Sequence, residues 1–192
     1  MDRSRPRLRR EGLREQKGVG IALSLATFMK KTVYLSLGSN LGDRAANLNA
    51  AIKHLEALGT IVAQSSLYET EPVETPEKQP WFLNCAVALE TELMPRQLLS
   101  RVLAIEQMMG RRRIQPKGPR TIDIDIVLFG KSVVETPALT IPHRAMHQRR
   151  FVLEPLAEIA PDVRHPVFKK TARELLNALS PGSGAVRRIE HS

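Results

Sequence analysis

Two aspartates one residue apart are the side chains of this sequence that are best placed to do chemistry. Asp123 and Asp125 lie in the run TIDIDIVLF, where they alternate with isoleucines. Alternate residues of a strand point to opposite faces, so both carboxylates share one face, about 6.6 Å apart along the strand. The two carboxylates repel each other unless a cation lies between them. Together with substrate phosphates, they are suitable ligands for Mg²⁺. The pattern indicates a divalent-cation site, with solvent-facing acids or partners of nearby arginines as the alternative.

Basic residues cluster around this strand in three places: GRRR (110–113), GPR (118–120) and PHRAMHQRRF (142–151). An arginine guanidinium matches phosphate oxygens with a planar fork of donors. Basic groups beside a carboxylate-bound Mg²⁺ are what phosphoryl transfer requires. Two alternatives stay open here. The arginines of the first segment also suit a helix C-terminus, and His143 also suits a structural hydrogen bond.

The hydrophobic pattern predicts the elements that must position these side chains. From Thr32 onwards, we expect strands at 32–38, 61–68, 81–91 and 121–129, and helices at 45–58, 95–109, 152–158 and 171–179. Asp43 is expected to cap the first helix, and Gly59 and Gly110 are expected to end the first two. The order strand, helix, strand, strand, helix, strand predicts an α+β fold with a ferredoxin-like βαββαβ core, an antiparallel sheet with helices on one face.

The strand over 81–91 has two distinct faces. Its alternation places Leu83, Cys85, Val87 and Leu89 on one face, with Phe82, Asn84 and Ala86 on the other. The only cysteine therefore reads as a core residue rather than a nucleophile. Two loops, ETEPVETPEKQP (69–80) and RRRIQPKGPR (111–120), are candidates for segments that close over a site.

The composition is that of a globular protein. The chain has 192 residues, of which 42% are hydrophobic and 26% charged, enough to bury roughly 70% of the unfolded surface around one core. A single cysteine excludes a disulfide framework and a cysteine zinc cluster, and 4% aromatic residues argue against base stacking. Residues 1–28 carry +4 of the net charge of +9. We predict a basic and apolar extension over 1–28, disordered or produced by an upstream start codon, and a single domain over 29–192.

The chain from Thr32 to about Pro166, roughly 70% of its length, resembles the 6-hydroxymethyl-7,8-dihydropterin pyrophosphokinase family of folate biosynthesis. The resemblance is carried by YLSLGSNLGDR, FLNCAVALET, IEQMMGRRR, RRFVLEPLAEIAP and, most specifically, GPRTIDIDIVLFG. It implies an ATP-dependent diphosphotransferase that moves diphosphate from ATP to the pterin hydroxymethyl group and releases AMP. Some members of the family have a longer loop with an additional Arg and Trp where this chain has IQPK (114–117), so this loop departs from the family pattern.

The resemblance also implies the residues of the site. Asp123 and Asp125 would hold two Mg²⁺ ions that bridge the ATP phosphates and the pterin hydroxyl. Arg111 and Arg120 would be catalytic. The residues that would bind ATP are Arg111, Arg113, Arg120, His143 and Arg149. The residues that would bind the pterin are Thr70, Pro72, Val73, Phe82, Asn84 and Phe151. Glu106 would support the site from the second long helix.

Two other functions fit the residues without the resemblance. One is a basic ferredoxin-like nucleic-acid binder, although the chain lacks an aromatic-rich sheet motif. The other is a metal-dependent nucleotidyltransferase that uses the same acid pair and releases pyrophosphate. The resemblance favours the pyrophosphokinase. It implies small-molecule substrates, no nucleic-acid or membrane partner and a monomer, and the lack of a clear export signal favours the cytoplasm.

Overall fold

An antiparallel sheet of six strands is the framework of the residues that can be described. A computed structural model describes residues 30–72, 79–111, 118–180 and 184–189. Val73, Arg113, the loop at 114–117 and the predicted extension over 1–28 lie outside them. The strands of the sheet are β1 (Lys31–Ser39), β2 (Thr60–Gln64), β3 (Tyr68–Thr70), β4 (Phe82–Thr91), β5 (Asp123–Phe129) and β8 (Val186–Arg188). Two further strands, β6 (Val134–Glu135) and β7 (Thr140–Ile141), pair with each other in a separate hairpin. Their order is β5-β1-β4-β3-β8, and β2 also pairs with β4.

Helices cover both faces of this sheet. The four α-helices are α1 (Arg44–Leu55), α2 (Pro95–Met108), α3 (Arg150–Ile159) and α4 (Ala172–Asn177), and short 3₁₀ turns occupy Glu56–Leu58 and Met146–Gln148. The buried residues of α1 and α2 form one core with the predicted apolar face of β4. A second core joins α3 and α4 to Val127 and Leu128 of β5, at the point where the register between β5 and β1 shifts. The predicted helices on one face are therefore α1 and α2. The helices predicted at 152–158 and 171–179 are present as α3 and α4, and they pack on the other face, which was not predicted.

The first helix begins as expected and ends differently. The Asp43 side chain accepts a hydrogen bond from the Ala46 N–H at 3.0 Å and caps α1. The helix ends at Leu55 rather than at Gly59, which has an extended backbone. A Cβ on Gly59 would lie 2.1 Å from a backbone oxygen of β4. Glycine is therefore required here because the β4 backbone comes so close, and not because a helix ends in the left-handed conformation. Gly110, in contrast, has the predicted positive φ of 83° just after α2.

The single strand predicted over 61–68 is two strands in the structure. Between β2 and β3, the Ser65 N–H donates to the Ala86 carbonyl and the Ala86 N–H donates to Ser65 Oγ, both at 2.9 Å. The serine hydroxyl thus takes the place of a backbone acceptor, and the ladder is interrupted. Pairing resumes at β3, where Thr70 lies opposite Phe82.

A partly exposed carboxylate, Glu158, ties α3 to the outer strands. Glu158 accepts hydrogen bonds from the Ser66 N–H at 3.0 Å, Ser66 Oγ at 2.8 Å, Tyr68 Oη at 2.8 Å and Arg188 Nη2 at 3.2 Å. Burial by itself raises the pKa of Glu158, but these donors outweigh it and lower the pKa. Within the described residues, none of the helices has the length and hydrophobicity needed to cross a bilayer.

Candidate active site

Strand register brings the predicted pterin and metal residues onto one face of the sheet. Gly38 of β1 lies opposite Asn84 of β4 on one side and opposite Asp123 of β5 on the other. Two residues earlier on β1, Ser36 lies opposite Asp125. Residues directly opposite each other share a face, so Asn84 and both aspartates point away from the first core. The alternation predicted for β4 and β5 is confirmed.

Asn84 is fixed by its neighbours on this face. Its Nδ2 donates to Thr70 Oγ1 at 2.6 Å, and both residues are buried. A Cβ at Gly38 would lie 2.5 Å from Asn84 Oδ1. Glycine is therefore the residue that leaves room for this amide to lie across β1. Pro72, two residues beyond Thr70, is half-buried.

Asp123 lies between two arginines. Its Oδ1 is 2.7 Å from Arg111 Nη1 and its Oδ2 is 3.0 Å from Arg120 Nη1. Arg111 therefore contacts the acid pair and does not act only on the C-terminus of a helix. Burial raises the pKa of the Asp125 carboxyl, with the neighbouring Asp123 charge adding to the effect. The charges of His143, Arg149 and Arg111 act in the opposite direction. The acid pair thus lies in a surrounding of opposite charge.

Glu106 links α2 to this centre. Only 3% of its surface is exposed, and its Oε1 accepts a hydrogen bond from the Ile124 N–H at 2.8 Å and pairs with Arg111 Nη1. Burial raises the pKa of the Glu106 carboxyl against the opposing effects of the Ile124 N–H and the Arg111 charge. One carboxylate therefore holds both the strand that carries the aspartates and the arginine that contacts Asp123.

Arg120 lies between the two parts of the site. Its guanidinium is 5.3 Å from the centroid of the Phe82 ring and also pairs with Asp123. Its backbone N–H donates to Asn40 Oδ1 at 2.7 Å. Asn40 is a residue of the site that was not predicted from the sequence. It follows β1 in the turn before α1, where an asparagine indicates only a turn.

The remaining predicted residues lie on the segment between β7 and α3 and in the first turn of α3. The His143 N–H donates to the Val127 carbonyl at 2.9 Å, which attaches this segment to β5. Burial lowers the pKa of His143, although the Asp125 charge opposes the shift. The Arg149 guanidinium is 5.7 Å from the Phe151 ring centroid, and Phe151 packs on the second core. The predicted contact of Phe151 and Phe82 with the pterin stays a prediction.

The donor set fits Mg²⁺ better than a metal held by protein ligands alone. In the part of the chain that the structure describes, no group of three or more His, Cys, Asp or Glu side chains is arranged to hold a metal ion. Mg²⁺ usually takes one or two carboxylates and completes its shell with water and substrate phosphates. Asp123 and Asp125 are two carboxylates that could supply such a site.

Comparison with known proteins points to one family. The profile of the 7,8-dihydro-6-hydroxymethylpterin-pyrophosphokinase (HPPK) family matches residues 34–161. This chain belongs to that family. The 2-amino-4-hydroxy-6-hydroxymethyldihydropteridine pyrophosphokinase of Methylorubrum extorquens is 46% identical over 159 residues, which cover 82% of this chain and 98% of that protein. The Bacillus subtilis enzyme of the same name is 46% identical over 137 residues, covering 70% and 81% respectively.

Solved structures show the same fold. The HPPK-DHPS structure of Plasmodium falciparum with pteroate has a TM-score of 0.63 and 20% sequence identity. The match covers 77% of this chain and spans 42% of the Plasmodium chain. It supports the mixed α/β architecture with helices packed on an antiparallel sheet, which confirms the predicted fold class.

Proposed function

We propose that this HPPK-family enzyme transfers diphosphate from ATP to 6-hydroxymethyl-7,8-dihydropterin and yields AMP and the pterin diphosphate, a step of folate biosynthesis. The family and the names of its members support the reaction. The observation that carries the assignment of the site is the convergence of Arg111 and Arg120 on Asp123, on the sheet face that also presents Asn84. This arrangement suits phosphate chemistry and disfavours the nucleic-acid binder. The family match favours the diphosphotransferase over the nucleotidyltransferase.

Asp123 and Asp125 form the phosphate end of the proposed site. They would hold Mg²⁺, and the family resemblance leads us to expect two ions. When bound, Mg²⁺ neutralises phosphate charge and orients the transferred group. Arg111 and Arg120 reach the same point from α2 and from the segment before β5. Their planar donors suit the phosphate oxygens of ATP, so their proposed task is to bind and orient the diphosphate that is transferred. His143 and Arg149 complete the proposed ATP site.

Asn84 and Thr70 form the pterin end of the proposed site. Asn84 and Asp123 are separated by one strand, which is about 9.6 Å between backbones. A flat bicyclic ring bound at Asn84 is therefore long enough to bring a hydroxymethyl substituent close to the aspartates. Phe82, on the same face, offers an aromatic surface next to Arg120. Holding acceptor and phosphate in this relation supplies catalysis by positioning, and little covalent chemistry is left for the protein.

Isosteric replacement of the two aspartates tests this assignment. In Asp123→Asn and Asp125→Asn, the shape is kept and the carboxylate charge is removed. We expect both variants to lose turnover while their urea unfolding midpoints stay close to that of the wild type. Asp162→Asn is the matched control, because Asp162 is exposed in the turn after α3. Retention of wild-type turnover in either site variant would contradict the metal assignment.

Several finer predictions accompany the proposal. A single catalytic domain over 29–192, a monomeric state and a cytoplasmic location stay predictions from the sequence. Light scattering on the purified chain tests the monomer. Activity of a chain that begins at Met29 tests whether the first 28 residues are needed for catalysis.

A further inference from the structure

Asn40 connects two segments that border the two ends of the site. It is 2% exposed and lies in the turn between β1 and α1. Its Oδ1 accepts the Arg120 N–H at 2.7 Å, and its own N–H donates to the Arg120 carbonyl at 3.1 Å. Its Nδ2 donates to the Pro80 carbonyl at 3.3 Å and to Gln79 Oε1 at 3.2 Å. One asparagine is therefore hydrogen-bonded to both the segment before β5 and the segment before β4.

The backbone partners fix the orientation of this side chain. The Arg120 N–H can only donate and the Pro80 carbonyl can only accept, so the amide oxygen must face Arg120 and the amide nitrogen must face Pro80. An aspartate at position 40 would keep the first contact and lose the second. An alanine would lose both side-chain contacts and keep the backbone contact to the Arg120 carbonyl.

We infer that Asn40 is a positioning residue for diphosphate transfer and acts through Arg120 and through the strand start that carries Phe82. The inference rests on the proposed function. The Arg120 guanidinium lies between the Phe82 ring and Asp123, so a shift of either segment moves it relative to the phosphate end. Because Asn40 holds both segments at once, the spacing between the pterin end and the phosphate end depends on its two-sided hydrogen bonding.

The activity test is a double-mutant cycle between Asn40→Ala and Arg120→Ala. A misplaced group in a transfer site costs up to about 100-fold in rate, and we expect Asn40→Ala to lower kcat about 10- to 100-fold. If Asn40 acts through Arg120, the loss in the double variant is smaller than the product of the single losses. Asn47→Ala is the control. Asn47 donates to Ser39 Oγ at 3.2 Å and to the Leu41 carbonyl at 2.8 Å, so it supports the same turn, and none of its hydrogen bonds is to Arg120 or Pro80.

A second readout does not depend on turnover. Trp81 is the only tryptophan of the chain, directly follows Pro80 and is 40% exposed. We expect Asn40→Ala and Asn40→Asp to increase acrylamide quenching of Trp81 below the urea unfolding transition, and Asn47→Ala to leave it unchanged. Asn40→Asp, which keeps the acceptor for Arg120, is expected to retain more kcat than Asn40→Ala.

The outcomes separate this inference from the proposed function. Wild-type quenching of Trp81 in Asn40→Ala, or independent kcat losses in the double variant, would overturn the positioning role. Failure of the wild-type enzyme to release AMP would overturn the proposed function instead. In that case the Trp81 quenching of the Asn40 and Asn47 variants still decides whether Asn40 holds the segment before β4.

Discussion

Replacement of Glu106 separates two effects that one carboxylate has on the site. Glu106→Ala leaves the buried Ile124 N–H without its acceptor, which costs about 1–3 kcal/mol. It also removes one of the two carboxylates that contact Arg111. Breaking a buried pair costs about 3–5 kcal/mol, and we expect the lower end because Asp123 stays beside Arg111. A loss of about 3 kcal/mol is a large part of the free energy of unfolding of a domain, which is roughly 5–15 kcal/mol.

Glu106→Gln keeps an oxygen for the Ile124 N–H and removes only the negative charge. Hydrogen bonds to charged groups contribute about 1.5–3 kcal/mol and neutral ones about 0.5–1.5 kcal/mol. We therefore expect this variant to lose about 1 kcal/mol of unfolding free energy. Because the attraction that holds Arg111 is weakened, we also expect kcat to fall about 10- to 100-fold. Urea unfolding followed by circular dichroism measures the first effect, and AMP release measures the second.

The two variants of Glu106 can each refute part of this reasoning. Equal unfolding free energies for the Gln and Ala variants would mean that the acceptor of the Ile124 N–H contributes nothing. Wild-type kcat in Glu106→Gln would mean that the charge of Glu106 does not position Arg111. Glu92→Gln, an exposed change just before α2, is the control for replacing a glutamate in the same region.

Three further predictions concern the surroundings of the site. Gly38→Ala places a Cβ 2.5 Å from Asn84 Oδ1, so we expect KM for the pterin to rise about tenfold. Gly59→Ala, in contrast, is expected to lower the free energy of unfolding by about 1–3 kcal/mol and to leave KM unchanged. Glu158 has a lowered pKa, so the stability that its carboxylate contributes is present above the unfolded pKa of about 4.5 and is lost as the pH falls through the folded pKa. The urea midpoint of Glu158→Gln should therefore fall less than that of the wild type between about pH 6 and pH 3, and an unchanged pH profile would contradict this. Burial raises the pKa of the Cys85 thiol to about 12, so a thiol reagent should modify it only at the rate of unfolding, and rapid labelling of the native protein would contradict its place in the core.

Strand faces and helix starts could be predicted from the sequence because they depend on local periodicity. The alternation of β4 and β5 was sufficient to place Asn84 and the two aspartates away from the core. Asp43 was found as a cap because the capping contact lies within three residues. These features need no knowledge of which strands are neighbours.

Features that depend on neighbouring strands could not be predicted in the same way. The break at Ser65 arises from a hydroxyl that bonds to β4, and Gly59 is required by a β4 carbonyl oxygen. Asn40 contacts residues 39 to 80 positions away, so its position in the chain indicates only a turn. Glu106 came from the family resemblance, since a lone acid on an otherwise apolar helix stripe does not by itself indicate a partner.

The identity of the nucleotide product tests the central claim most directly. The purified chain would be incubated with ATP, Mg²⁺ and 6-hydroxymethyl-7,8-dihydropterin, and the nucleotides would be separated by chromatography. Diphosphate transfer predicts AMP in equal amount to the pterin diphosphate, and only when both the pterin and the metal ion are present. Formation of ADP would identify a simple kinase, and release of free pyrophosphate would identify a nucleotidyltransferase. Either product in place of AMP would contradict the account.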